Sequence, residues 1–253
     1  MVDCFDAETC ELIMQGRGRI AVTAESVANI LRLPIGGDPV RYEYDVDAMN
    51  FMLEKLYPTE NGEAPTIKSI LEMLQLKEEA DDDFFRSWLM IAVSTFLCPT
   101  TALSISLGCY PALVDLTRVK ELVWCKFVVD QLKVASENID KKNSIRGCLL
   151  FLVVLYVDSL DVGDIQVPDI QPRIAAWNWK LLNKVIKLDT NRDGSFGKLK
   201  SVVQDSIFRM DDIRRFVSSK VHNGMSDQNK NKLSNTMGDV CVGFTELMGK
   251  FLE

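Results

Sequence analysis

A chain of 253 residues with 47% hydrophobic and 26% charged side chains is long enough to bury one large core or two modest ones. Its net charge of −7 argues against a general nucleic-acid binder, whose affinity comes from neutralising phosphates. The longest apolar run, Cys148 to Val157, falls short of the ~18 to 20 residues that cross a bilayer, and the opening MVDCFDAETC lacks the basic-then-apolar layout of a secretory leader; a soluble protein of nucleus or cytoplasm, meeting no membrane, is expected.

The first elements are two short strands, Glu11 to Met14 and Arg19 to Val22, joined by Gln15, Gly16, Arg17 and Gly18, where glycine supplies the positive φ of a tight hairpin. Thr23 then offers an N-cap with Glu25 in the first turn, and Val27, Ile30 and Leu31 share a helical face that Pro34, Gly36 and Gly37 end. Met49, Met52, Leu53 and Leu56 mark a second amphipathic helix, and Ile67, Ile70, Leu71, Leu74 and Leu76 a third. The acidic block from Glu78 to Asp83 reads as the start of the next helix, since carboxylates suit the positive end of the helix dipole. That helix, Phe84 to Cys98, is expected to pack Phe85, Trp88, Leu89, Ile91, Ala92, Phe96 and Leu97 inward.

Between Thr117 and Val134, the residues Val119, Leu122, Val123, Phe127 and Val128 follow helical spacing and read as core. The polar joint Glu137 to Asn143 leads into Asn143 to Asp158, whose apolar middle has no polar face to give to water. It is therefore expected to be buried on every side. Its valines suit a buried strand too, but its length and helical neighbours favour a helix. Asp158, Asp161 and Asp164 then bring the chain back to the surface.

The series Phe84 to Thr101, Tyr110 to Leu132, Gly147 to Val162 and Pro172 to Trp177 (PRIAAW) resembles the plant mobile domain. So does the opening, with Phe5 and Asp6, the Gly16 to Ile20 hairpin, Thr23 to Val27 and Leu33-Pro34. The resemblance covers roughly residues 2 to 220. That family, often labelled aminotransferase-like, is abundant in transposon-derived proteins of grasses, where it commonly precedes a Ulp1-type cysteine protease domain. The resemblance implies a helical platform associated with mobile elements, with no catalytic residue to transfer and roles in silencing and genome maintenance in some members.

Chemistry-bearing motifs are few. Asp189 to Gly194 (DTNRDG) fits the first half of a calcium loop, with oxygen ligands at Asp189, Asn191 and Asp193, but Lys200 stands where a bidentate Glu is needed. Gly194 to Lys198 also resembles the plant mobile domain's own loop after its tryptophan. The one histidine, His222, lies in a polar loop with no protease motif around it, where a cysteine protease needs a histidine oriented by an acid beside its cysteine. The seven cysteines are scattered without a Cys-x-x-Cys pair and read as reduced thiols, mostly buried. Lys184, Lys187 and Lys198 sit in polar contexts with no phosphate cup, so neither enzyme activity nor a cofactor is expected.

Charge and periodicity point instead to surfaces. From Arg173 to Lys232 there are 13 Lys and Arg against six Asp and Glu, a basic segment suited to an acidic partner. Arg173, Lys180, Lys184, Lys187, Arg209, Arg214 and Arg215 are its candidates for nucleic-acid contact. At the C-terminus, Leu233, Met237, Val240, Phe244, Leu247 and Phe251 recur at heptad-like spacing. That seam wants another helix: the protein's own core, a second copy or a protein partner.

The expectation is a mainly α, multi-helix globular domain with a small N-terminal β-hairpin. Residues 1–220 form the plant-mobile-domain-like part, and 221–253 a polar linker with a C-terminal amphipathic helix. The expected function is a non-enzymatic, transposon-derived protein-interaction domain; the alternative is a nucleic-acid-associated protein acting through residues 173–232.

Overall fold

The computed structural model describes residues 4–14, 16–56, 65–99, 104–137 and 147–201. The chain divides after Ser201, and the described residues all belong to the unit that ends there. That unit is mainly α-helical, with a small antiparallel sheet at its N-terminal end.

The sheet runs in the order β1 (Phe5–Asp6), β2 (Glu11–Met14), β3 (Gly18–Ala21), with Phe5 opposite Leu12 and Leu12 opposite Ile20. The hairpin is where the sequence put it, one residue earlier in its second strand, and Gly16 and Gly18 take φ of 72° and 95° at its turn. The additional strand β1 escaped notice because two residues carry no periodicity. Phe5, Leu12, Met14 and Ile20 are buried, so one face of the sheet closes the core.

Helix α1 (Ala24–Leu31) starts at Thr23, whose hydroxyl accepts from Ser26 N–H at 3.2 Å while the Ser26 hydroxyl accepts from Thr23 N–H at 2.9 Å. These two bonds satisfy donors that a helix start leaves orphaned. Asp45, Thr66 and Asp81 likewise accept from the N–H three residues on, capping α2 (Val46–Lys55), α3 (Ile67–Leu76) and α4 (Asp82–Ala92). Helix α4 continues as a π-helical turn, Val93–Leu97. A short α5 (Tyr110–Leu113) and a 3₁₀ segment, Leu116–Glu121, precede α6 (Trp124–Glu137).

The continuous helix expected from Thr117 is thus broken at Leu122 and Val123. There, Val123 N–H donates to Asp38 O at 2.8 Å and Asp38 N–H donates to Glu121 O at 2.9 Å. Pairing with a distant extended segment takes backbone groups that a helix would use internally.

Helix α7 (Leu149–Asp158) is the apolar stretch, helical as expected. Gly147, at φ 101°, leads into it, and a Cβ there would stand 2.9 Å from Leu132 Cδ2 of α6. Phe151, Leu152, Val154, Tyr156 and Val157 are buried. The expectation of burial on every side is wrong: Leu150 is 41% exposed, and Leu149, Val153 and Leu155 are half-buried. A helix at the margin of a layer keeps one edge toward solvent even when nearly every residue is apolar. Helices α8 (Arg173–Ala176) and α9 (Trp179–Asp189) follow. Helix α1 packs on α6, α7 and α8; α9 packs on α7; α4 packs on α3 and α5. No helix among the described residues is long and apolar enough to cross a membrane.

Candidate functional site

The largest concentration of buried polar chemistry joins three distant parts of the chain. Asp189, at the end of α9, is 0% exposed. Its carboxylate accepts from Arg17 Nη1 at 3.3 Å, from Leu199 N–H at 2.8 Å and from the Tyr156 hydroxyl. Arg17, at the hairpin turn, also donates to Leu199 O at 3.2 Å and to the Tyr156 hydroxyl at 2.8 Å, with its guanidinium 5.5 Å from the centre of the tyrosine ring. Burial, then the neighbouring Asp189 carboxylate, pushes the Tyr156 hydroxyl up to about 12, against an opposing pull from Arg17. Every member has its partners, which is the condition under which a buried charge pair is tolerated. The knot ties the hairpin, α7 and the 190–200 loop together and presents no free nucleophile or base.

The same arrangement engages the residues of the calcium-loop candidate. Asp189 turns its carboxylate into the knot, Asn191 Nδ2 donates to Ser195 Oγ at 3.0 Å, and Asp193 Oδ1 accepts from Ser195 N–H and Oγ–H. The Ser195 hydroxyl and N–H hold the Asp193 carboxyl below its ordinary value. Asn191 and Asp193 thus serve a tight turn closed by the Thr190–Phe196 bridge, and among the described residues no group of three acidic, Cys or His side chains is placed to hold a metal ion.

The basic candidates separate in the same way. Arg173 is internal: Nη2 donates to Asp158 Oδ1 at 2.6 Å, Nη1 to Pro168 O at 2.8 Å, and Trp177 Nε1 joins the same Asp158 oxygen at 2.8 Å. Asp158 is therefore an anchor for α8, not the exposed turn residue that its acidic surroundings suggest. Lys180, Lys184 and Lys187 are exposed at spacings of four and three on one face of α9, and among the described residues none forms an ion pair. Trp179 at the first turn of that helix is 76% exposed. Arg209, Arg214, Arg215, His222 and the seam from Leu233 to Phe251 lie outside the described residues.

The thiols divide by depth. Cys98, Cys109, Cys125 and Cys148 are buried, whereas Cys4 is exposed. Burial pushes Cys109 and Cys148 up to about 12 and Cys125 to about 11, which withholds the thiolate that a nucleophile requires.

A cavity of about 820 Å³ opens beside α2 and α5, lined in part by Asp38, Arg41, Asp45, Phe51, Asp115 and Arg118. Its charges are largely spent on one another. Arg118 pairs with Asp38, Arg41 pairs with Asp45 at 2.9 Å, and Asp115 accepts from Thr117 N–H at 3.0 Å. The Thr117 bonds hold Asp115 below the usual carboxylate range.

The largest departure from expectation is α4, where Phe85 and Trp88 are 51% and 56% exposed. The face turned inward carries Arg86, Ser87, Met90, Val93, Ser94 and Leu97. Arg86 Nε donates to Leu113 O at 3.0 Å and Nη2 to Val114 O at 3.3 Å, Nη1 pairs with Asp83 at 2.8 Å, and the guanidinium lies 5.5 Å from the centre of the Phe51 ring. The carbonyls it reaches stand at the end of α5, where a helix leaves acceptors orphaned. Ser94 Oγ accepts from Ser106 N–H at 3.0 Å. Sequence reasoning missed Arg86 because its acceptors are backbone atoms, which no residue pattern announces. At the end of α3, Leu76 is 84% exposed, and Glu78, Glu79 and Asp82 beside it are exposed without an ion pair among the described residues.

A family model described as a domain of unknown function, DUF8566, matches residues 1–153. No curated protein and no solved structure matches the chain.

Proposed function

We propose, for a chain that belongs to the DUF8566 family, a non-enzymatic role as a protein-interaction platform of nucleus or cytoplasm, derived from a grass transposon. The observation that carries the interaction role is the outward face of α4, where Phe85 and Trp88 stand in solvent while Arg86 is buried. Aromatic side chains held side by side in solvent on one helix are the kind of surface that protein partners cover. The mobile-element origin rests on the resemblance to the plant mobile domain carried by Phe84 to Thr101, Tyr110 to Leu132 and Pro172 to Trp177.

The test is affinity capture from grass nuclear and cytosolic extracts with the wild-type chain and with Phe85→Glu/Trp88→Glu. The expected result is a set of proteins retained by the wild type and lost by the variant. Identical sets from a variant with unchanged circular dichroism would remove this reading.

A second reading, association with nucleic acid, is favoured by Lys180, Lys184 and Lys187, exposed on one face of α9 near Trp179 and without an ion pair among the described residues. Arg173, spent on Asp158, does not contribute. A gel shift that stays blank at ~50 mM salt, where phosphate contacts are strongest, would eliminate it.

A further inference from the structure

Two exposed helical faces of this chain carry opposite charge and the same kind of apolar anchor. Helix α4 presents Trp88 and Phe85, with Asp82 in its first turn and Glu78 and Glu79 just ahead of it. Helix α9 presents Trp179, flanked by Lys180, Lys184 and Lys187. None of these six charged side chains forms an ion pair among the described residues. Each helix has 11 residues, about 16 Å at 1.5 Å per residue, so the two faces match in length.

Resting on the reading of α4 as a docking face, we infer that its occupant is a second copy of this chain, held head to tail with α9 of one molecule on α4 of the next. Charge opposition selects this pairing over its alternatives. Face-to-face pairing of α4 with α4 would bring acid against acid, and α9 with α9 lysine against lysine, whereas α4 with α9 gathers opposite charges around two tryptophans. Trp is also the residue type most enriched where binding energy concentrates. Such a contact uses different patches on the two molecules and leaves one of each unused, so it propagates into rings or open chains. Nucleic acid on α9 is the competing occupant, and phosphate chemistry alone gives α4 no part in it.

The experiment is sedimentation velocity of the full chain over a concentration series up to ~200 µM, where small interfaces associate, with Trp88→Glu, Trp179→Glu and their mixture. Both positions are largely exposed, so each variant is expected to keep the wild-type circular dichroism and melting curve. The wild type is expected to gain mass with concentration and each variant alone to stay monomeric. The equimolar mixture is expected to form a dimer that stops at two, because one variant keeps an intact α9 face and the other an intact α4 face. Reversing Lys180, Lys184 and Lys187 to Glu is expected to abolish self-association, and adding Glu78→Lys, Glu79→Lys and Asp82→Lys to the same chain is expected to restore it.

A wild type monomeric throughout, a mixture that fails to pair, or loss of association in only one of the two tryptophan variants would each overturn the inference. A monomeric wild type whose α9 variant alone loses a nucleic-acid gel shift would assign that face to nucleic acid instead. The platform reading fails separately: it falls only if capture from extract ignores Phe85→Glu/Trp88→Glu, whatever the sedimentation result.

Discussion

Helices α4 and α7 both carry large apolar residues, α4 with Asp82, Asp83 and Arg86 among them and α7 with Asp158 alone, and the fold treats those residues differently. Helix α7 sinks Phe151, Leu152, Val154 and Val157 into the core and leaves Leu150 at its edge. Helix α4 and the π-helical turn after it send Arg86, Ser87 and Ser94 inward with Met90, Val93 and Leu97, and hold Phe85 and Trp88 in solvent. The difference lies in what each helix packs against. Helix α7 meets the apolar sides of α1 and α9, whereas α4 meets the carbonyl end of α5, and orphaned carbonyls in a dry interior need a donor more than they need another methyl group. An inward face that joins paired polar groups to Met90, Val93 and Leu97 then leaves Phe85 and Trp88 outside.

The sharpest way to break this comparison is to remove a buried member from each helix and an exposed member beside it. Phe151→Ala is expected to cost ~3 to 5 kcal/mol through lost burial and the cavity it leaves, whereas Leu150→Ala, at a half-open position, should cost under ~1 kcal/mol. Arg86→Ala is expected to cost ~3 to 5 kcal/mol, since it strands Asp83 and the two α5 carbonyls. Trp88→Ser should stay within ~0.5 kcal/mol in the monomer. Urea denaturation of the four variants at low protein concentration checks all of these. Equal costs for Arg86→Ala and Trp88→Ser would mean that α4 does not turn its polar face to the core.

A smaller effect tests the tie that α7 makes to the hairpin. The Tyr156 hydroxyl titrates higher in the folded chain, about 12, than its ordinary value of 10.0. The unfolded chain therefore loses this proton first as pH rises. The stability it contributes is whole below about pH 10 and is lost as pH climbs toward 12. Tyr156→Phe removes that dependence and, at neutral pH, about 1 to 2 kcal/mol of hydrogen bonding. Thermal melts between pH 8 and 11.5 should show the wild type falling more steeply than the variant above pH 10; parallel curves would place the alkaline loss elsewhere.

The smallest expected effect concerns the loop after α9. Asp193→Asn removes a carboxylate that accepts only from Ser195 among the described residues, so a shift in melting temperature of no more than ~2 °C is expected. Adding millimolar calcium is expected to leave both wild type and variant unmoved. A calcium-dependent rise in the wild type alone would restore the loop as an ion site.

What this sequence determined by itself is what depends on near neighbours. The cap at Thr23 binds a backbone donor three residues on, the acidic block supplies the cap Asp81 at the start of α4, and the glycines flanking Arg17 set the hairpin; such features are legible because both partners lie within one turn of chain. Helix α9 was not among the expected elements, and of its basic stripe only the surplus of Lys and Arg from Arg173 to Lys232 was legible. The pairing of Arg17 with Asp189, 172 residues apart, and the burial of Arg86 were not. In both, the partner is set by which backbone and side-chain groups the packed helices leave without water. An apolar pattern says that some face of α4 is to be hidden, and only the orphaned carbonyls of α5 decide which.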